Sequence, residues 1–257
     1  MIGAIIGDVV GSVYEFDNYR HKDFPLFQEK SDFTDDSILT FATAKVLLDG
    51  GDYAQTYQSF ARRYPNRGYG GKFNRWIMQD VPSTYNSFGN GSAMRVSPIG
   101  FAFEDAESTL AEAKRSAEVT HSHPEGIKGA QAVALAIWMA RKGSGKDEIR
   151  QVIESQFDYD LSRSCDLIRR VNQFDETCQG SVPESITCFL ESTDFEDCIR
   201  LSISIGGDSD TIACIAGGIA QAYYGEIPEW ITTETRKRLP QEFLDILDRF
   251  EERYLLR

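Results

Sequence analysis

Asp208-Ser209-Asp210-Thr211-Ile212-Ala213-Cys214-Ile215-Ala216-Gly217-Gly218-Ile219-Ala220-Gln221-Ala222-Tyr223-Tyr224 sets two carboxylates directly ahead of a long apolar run. Its apolar and small residues recur with helical rather than alternating spacing, so a helix is expected over 211–224, with the acids at its N-terminus. The pattern is repeated near the other end of the chain. Thr34-Asp35-Asp36 precedes a second such run, over 37–48. Further helices are expected at 2–14, 53–64, 108–119, 124–140, 146–157, 162–171, 183–191, 195–205 and 240–255, and no stretch shows strand alternation. Turn sequences such as Asp49-Gly50-Gly51 and Lys142-Gly143-Ser144-Gly145 join them. The expected fold is therefore all-α, a compact helical bundle.

The two acidic clusters look like halves of one metal site. Two carboxylates about 4 Å apart repel by roughly 4 kcal/mol at an effective dielectric of 20, so gathering four needs strong compensation. A helix N-terminus contributes only about 0.3 to 1 kcal/mol per acid. Two divalent cations would neutralise the set. Carboxylate and hydroxyl oxygens, with no His or Cys inside either cluster, are the ligand type of Mg²⁺ or Mn²⁺ rather than zinc. The plainer alternative is that each cluster is an ordinary helix cap, with Thr34 or Ser209 capping.

At 257 residues, 41% hydrophobic and 26% charged, the chain is long enough for one substantial core, and no shift in composition marks a linker. One domain over 1–257 is expected. A net charge of −13 argues against a nucleic-acid backbone or an anionic membrane as partner. The first ten residues lack the basic flank of a secretory signal and contain Asp8, and no run approaches a membrane span. Five cysteines without C-x-x-C spacing suggest free thiols in a cytoplasmic protein.

Three further stretches carry chemistry. Gly3, Gly7 and Gly11 form a smooth stripe on the first helix, which invites close approach by a neighbour; Glu15 continues the stripe and Asp8 flanks it. A glycine stripe is ordinarily packing, but an acid at its end needs a partner. Asn86-Ser87-Phe88-Gly89-Asn90-Gly91-Ser92-Ala93-Met94-Arg95 is a small-residue loop whose amides, with Ser87 and Asn90, suit a polar ligand, and whose Phe88 suits a base or sugar. An ordinary turn is the alternative. In Thr120-His121-Ser122-His123-Pro124, His121 suits hydrogen bonding to a ligand, and His123 reads as a surface residue at a helix start.

Taken together, Gly7-Asp8-x-x-Gly11-x-x-x-Glu15, Thr34-Asp35-Asp36, Gly89-Asn90-Gly91-Ser92-Ala93-Met94-Arg95, Thr120-His121 and Gly206-Gly207-Asp208-Ser209-Asp210-Thr211 resemble the ADP-ribosylglycohydrolase family, including its dinitrogenase reductase-activating and ADP-ribosylserine-hydrolysing members. The motifs stand in the family's order and cover most of the chain.

The resemblance implies an all-α fold around a dinuclear Mg²⁺ or Mn²⁺ centre. It assigns Thr34, Asp35, Asp36, Asp208, Asp210 and Thr211 as metal ligands. Ser87, Phe88, Gly89, Asn90, Gly91 and His121 would contact ADP-ribose, and Glu15 would lie on a flap, for which 16–33 is the available length. Glu15, Asp35 and Asp36 are the candidate catalytic acids. The implied activity is metal-dependent cleavage of the bond between C1″ of ADP-ribose and an acceptor. The expected partner is an ADP-ribosylated protein or a small ADP-ribose conjugate, and the expected state is a monomer. Ser92 replaces a glycine common among relatives, which would narrow the pocket. A non-catalytic ADP-ribose binder and a metal-dependent nucleotide phosphohydrolase remain as alternatives.

Overall fold

The computed structural model describes residues 1–256, and among them the chain forms fifteen helices and no strand. In order these are α1 (Ile2–Gly11), α2 (Asp35–Asp49), α3 (Tyr53–Arg63), α4 (Gly71–Ile77), α5 (Gly91–Met94), α6 (Ser97–Ala102), α7 (Ala106–Glu118) and α8 (Pro124–Arg141). The second half follows with α9 (Lys146–Phe157), α10 (Cys165–Val171), α11 (Cys178–Glu191), α12 (Phe195–Ser204), α13 (Ser209–Tyr224), α14 (Glu229–Arg236) and α15 (Gln241–Tyr254). The all-α expectation holds. Expectation and structure differ where helices are short or their ends are set by distant contacts. α4, α5 and α6 are too brief for a 3.6-residue period to register. α11 begins before Pro183, at a Thr177 cap whose side chain accepts from Gly180 N. A proline this near a helix start removes only one internal hydrogen bond.

The centre of the bundle is α13, which packs against α1, α8, α11 and α12, while α2 sits among α1, α3, α6 and α15. α1 is buried along its entire length. The glycine stripe explains how it lies so close to α13. A Cβ on Gly3 would fall 2.3 Å from Gly217 O, one on Gly7 2.0 Å from Ala213 O, and one on Gly11 2.3 Å from the Cα of Asp210. No side chain fits at those separations, so the stripe is packing, as a glycine stripe ordinarily is. Its lower end nevertheless rests on the backbone of an acidic-cluster residue. α1 stops at Gly11, earlier than expected, and tight turns carry the chain through Glu15 back toward that residue.

All five cysteines are buried and free. Among the described residues no helix is long and apolar enough to cross a membrane.

Candidate metal centre and cleft

A cleft of about 500 Å³ opens where the N-termini of α2 and α13 meet. Its floor holds Asp35, Asp36, Asp208, Asp210 and Thr211, and Glu15 overhangs one side. The two acidic clusters, separated by more than 170 positions along the chain, share one wall: Thr211 Oγ1 donates to Asp36 Oδ2 at 3.3 Å. Carboxylate oxygens of Asp8, Asp36 and Asp210 lie within 4.8 Å of one another, as do those of Glu15, Asp208 and Asp210. Asp210 belongs to both triads.

Capping accounts for only part of this. Thr34 does cap α2, accepting from Asp36 N at 3.3 Å. At α13, by contrast, Asp208 makes no side-chain cap bond, and the buried Ser209 hydroxyl has no partner. Asp208 Oδ2 instead accepts from Asn90 Nδ2 at 2.6 Å. The same Nδ2 also donates to Ser181 Oγ at 2.9 Å. Asn90 is itself buried, so its amide serves the acidic floor before any ligand.

Asp8 is the residue the sequence left without a role. It is fully buried and accepts from Thr34 N and Ser37 N, each at 3.0 Å, from Thr34 Oγ1 at 2.6 Å, and from the Ser37 hydroxyl. Both its oxygens are therefore engaged in fastening the start of α2 to α1. Its position beside Gly7 and Gly11 was the available signal; the bonds it makes were not legible, because they depend on how α2 docks.

No lysine or arginine forms an ion pair with any of these six carboxylates among the described residues. Burial raises the Asp8 carboxyl above its ordinary value against the pull of its hydrogen bonds. Burial, followed by the charge of Asp210, pushes Asp35 and Asp36 well above theirs, and burial with the Asp208 charge does the same to Asp210. Asp208 is raised to about 7 and half-buried Glu15 to about 8, again chiefly by burial. One oxygen, Asp36 Oδ1, is buried with no hydrogen-bond partner at all. An orphaned carboxylate oxygen in an uncompensated acidic pocket fits a cation, and the hard oxygen donors fit Mg²⁺ or Mn²⁺.

The rest of the cleft is mixed, with glycines, aromatic rings, Lys72 and Arg95, and the acids Asp175 and Glu176. Ser87, Phe88, Gly89, Asn90, Gly91 and His121 all line it. Two loop amides are used internally: Gly89 N donates to Ser87 Oγ at 3.1 Å and Asn90 N to Glu176 O at 2.7 Å. The second bond belongs to an antiparallel pairing of 88–90 with 176–178, closed by Cys178 N to Phe88 O at 3.0 Å. Sequence reading missed this pairing, which makes Phe174, Asp175, Glu176 and Thr177 the opposite wall. It also missed Gly68, beside Asp35, and Gly70 and Gly71, which line the cleft with it. Ser92 does not narrow the cleft. It is buried behind the loop and donates to Gly126 O at 2.7 Å.

His121 is held from behind. Its Nδ1 lies 2.7 Å from Thr120 Oγ1, which accepts from Arg95 Nη2 at 2.9 Å. Arg95 is fully buried, over the Tyr57 ring. Since Thr120 Oγ1 already accepts from Arg95, its own proton is free for Nδ1, and Nε2–H is left facing Gly89 and Gly91. Burial and the Arg95 charge hold His121 well below its ordinary value, so it is neutral. His123 behaves as the surface alternative anticipated, its Nδ1 accepting from Glu125 N at the start of α8.

Known proteins resemble the chain throughout its length. The sequence profile of the family described as ADP-ribosylglycohydrolase matches residues 1–256. ADP-ribosylhydrolase ARH3 of Mus musculus is 28% identical, the match covering 89% of this chain and 84% of that protein. ADP-ribosylarginine hydrolase Tri1 of Pseudomonas putida (strain GB-1) is 26% identical, over 95% of this chain and 76% of its own. A solved structure titled ADP-ribosylglycohydrolase-related protein complex superposes with a TM-score of 0.74 at 22% identity, covering 99% of this chain and 96% of that one, which establishes a shared fold.

Proposed function

This chain belongs to the ADP-ribosylglycohydrolase family, and from that premise we propose that it hydrolyses the glycosidic bond between C1″ of ADP-ribose and an acceptor, releasing ADP-ribose, with two divalent cations at the acidic floor of the cleft. The observation that carries the reading is the pair of carboxylate triads sharing Asp210, one of them containing the unpartnered Asp36 Oδ1, beside a loop-lined cleft.

Asp35, Asp36, Asp210 and Thr211, with Thr34, would hold one cation, and Asp208, Asp210 and Glu15 the other. When bound, Mg²⁺ or Mn²⁺ would supply concentrated positive charge for orienting the hydroxyls of the proximal ribose and an adjacent water. The protein's own groups do the remainder. Ser87, Gly91 and the Nε2–H of His121 form a neutral donor surface suited to the diphosphate and distal ribose, and Phe88 offers a face to the base.

Glycosidic cleavage develops positive charge on the sugar, and the carboxylate floor stabilises it. Of the candidate acids, Asp36 is enclosed and takes the Thr211 hydroxyl, whereas Glu15 is half-exposed in the cleft and within reach of solvent. Glu15 is therefore assigned proton transfer to or from the acceptor or water, and Asp35 and Asp36 are assigned to the floor.

The test is ADP-ribose release, read by mass spectrometry, from arginine-linked and serine-linked ADP-ribosyl peptides with Mg²⁺, with Mn²⁺ and with chelator. Metal-dependent release of intact ADP-ribose supports the reading and names the acceptor. Release of phosphate or AMP would point to a phosphohydrolase, and tight ADP-ribose binding without turnover to a non-catalytic binder.

A further inference from the structure

Arg95 lines the cleft behind His121 and is the single fully buried arginine among the described residues. Its Nη2 donates to Ser116 O and to Thr120 Oγ1, each at 2.9 Å, and its guanidinium carbon lies 4.2 Å from the centroid of the Tyr57 ring. Nε and Nη1 have no partner, and among the described residues no carboxylate pairs with Arg95. A buried charge ordinarily carries a counter-ion, because its desolvation otherwise goes uncompensated. What surrounds Arg95 falls short of one. The C-terminal turn of α7, to which Ser116 belongs, offers about half a negative charge, and an aromatic face is a weak partner for a cation.

The charge is not isolated from the cleft. Thr120 Oγ1 lies 2.7 Å from His121 Nδ1, so two hydrogen bonds and one imidazole ring separate the guanidinium from the Nε2–H that faces Gly89 and Gly91. Elsewhere the cleft is poor in positive charge. Lys72, exposed on α4 beside Gly70 and Gly71, is the one other basic side chain among the described residues that line it, and Asp175 and Glu176 add negative charge. Two divalent cations at the floor would at most balance the carboxylates there, leaving no surplus for a second anion.

We propose that Arg95 is a positioning residue that never touches the ligand but supplies, through Thr120 and His121, the counter-charge for its diphosphate, so that the cleft selects an anionic nucleotide over a neutral one of the same shape. This rests on the ADP-ribose reading of the cleft given above. A diphosphate lying along 87–91 would bring its negative charge into a protein whose net charge is already −13. Because no carboxylate pairs with Arg95, its field is not cancelled locally and reaches the loop. His121 stays neutral and donates from Nε2, so the hydrogen bond to the ligand and the positive charge behind it come from different residues. Binding in turn completes the charge balance around Arg95, which offsets in the complex part of the cost of burying it.

The experiment titrates two ligands into Mg²⁺-loaded wild type, Arg95→Met and Arg95→Lys: ADP-ribose, and an analogue of equal length whose diphosphate is replaced by an uncharged squaramide linker. Wild type is expected to bind ADP-ribose at least tenfold more tightly than the analogue. Arg95→Met should lose that preference while binding the analogue as wild type does, and Arg95→Lys, which keeps a charge without the planar fork, should fall between them. In wild type the ¹⁵N resonance of the Arg95 Nε–H should shift on saturation with ADP-ribose and hold still with the analogue, a readout that needs no variant to fold. Equal affinity of wild type for the two ligands overturns the proposal, as does an undiminished preference in Arg95→Met or an Nε–H resonance indifferent to the diphosphate. An equal loss of affinity for both ligands in Arg95→Met also overturns it, by making Arg95 a purely structural residue. If wild type binds neither ligand with metal present, the ADP-ribose reading itself fails, a result distinct from loss of the charge preference.

Discussion

Asn90 Nδ2 donates to Asp208 Oδ2 at 2.6 Å, so a residue of the small-residue loop orients a carboxylate of the acidic floor from 118 positions away. The loop expected to hold substrate thus also braces the acidic floor proposed to bind metal. Replacing Asn90 with Leu removes the donor and leaves Asp208 free to rotate. Metal affinity is expected to fall by roughly 10- to 100-fold, the usual effect of losing a partner that orients a ligand. Calorimetric titration with Mn²⁺ checks this. Unchanged metal affinity with a raised KM would instead make Asn90 a substrate contact alone.

Asp36→Asn and Asp210→Asn should each reduce turnover by roughly 10³-fold or more, since each removes a charge from the shared cation site. Their folds should survive, and the metal-free variants should melt higher than metal-free wild type, because a buried unpaired charge is gone. Glu15→Gln should lose comparable activity and weaken binding of the second Mn²⁺, since it removes one of the three carboxylates assigned to that cation, while ADP-ribose still binds. Wild-type turnover in both aspartate variants would refute the metal-floor assignment.

The acidic floor also sets a pH dependence. Without cations, Asp208 titrates at about 7, Glu15 at about 8, and Asp35, Asp36 and Asp210 well above the ordinary carboxylate range near 4. A carboxyl whose folded pKa exceeds its unfolded one weakens the fold when ionised; the penalty is full above the folded pKa and fades as pH falls toward the unfolded one. Metal-free protein should therefore melt higher at pH 6 than at pH 8. Saturating Mg²⁺ or Mn²⁺ should raise Tm more at pH 8 than at pH 6, with proton release on binding. Melting curves in chelator and in metal at both pH values decide it.

Gly7→Ala should be costly, although alanine is ordinarily the better helix former by about 1 kcal/mol. The added methyl falls 2.0 Å from Ala213 O, a backbone atom of a buried helix that cannot turn aside. Overpacking of about 1–3 kcal/mol or more is expected, and because Gly7 adjoins Asp8, metal affinity should fall with stability. Denaturant unfolding with and without Mn²⁺ reads both.

Thr120→Val keeps the shape at Thr120 and deletes the hydroxyl between Arg95 and His121. The Nε2–H form of His121 should give way to a mixture of tautomers, visible in ¹⁵N spectra, and ADP-ribose affinity should drop, with Thr120→Ser restoring both.

The sequence by itself determined the helices long enough to show a period, the two acidic clusters, the glycine stripe and the small-residue loop, because each is written in residues close together in the chain. It also carried the family resemblance, since those motifs keep their order. What it left open was settled by contacts between distant segments. Asp8 braces α2 only because α1 lies on α13 at glycine distance. Asn90 serves Asp208 only because 88–90 pairs with 176–178. Residues 174–177 became a cleft wall without any local signature. Local spacing fixes which residues share a helix face; where one helix crosses another, and which buried oxygens then find no partner, is decided by packing among residues far apart in sequence.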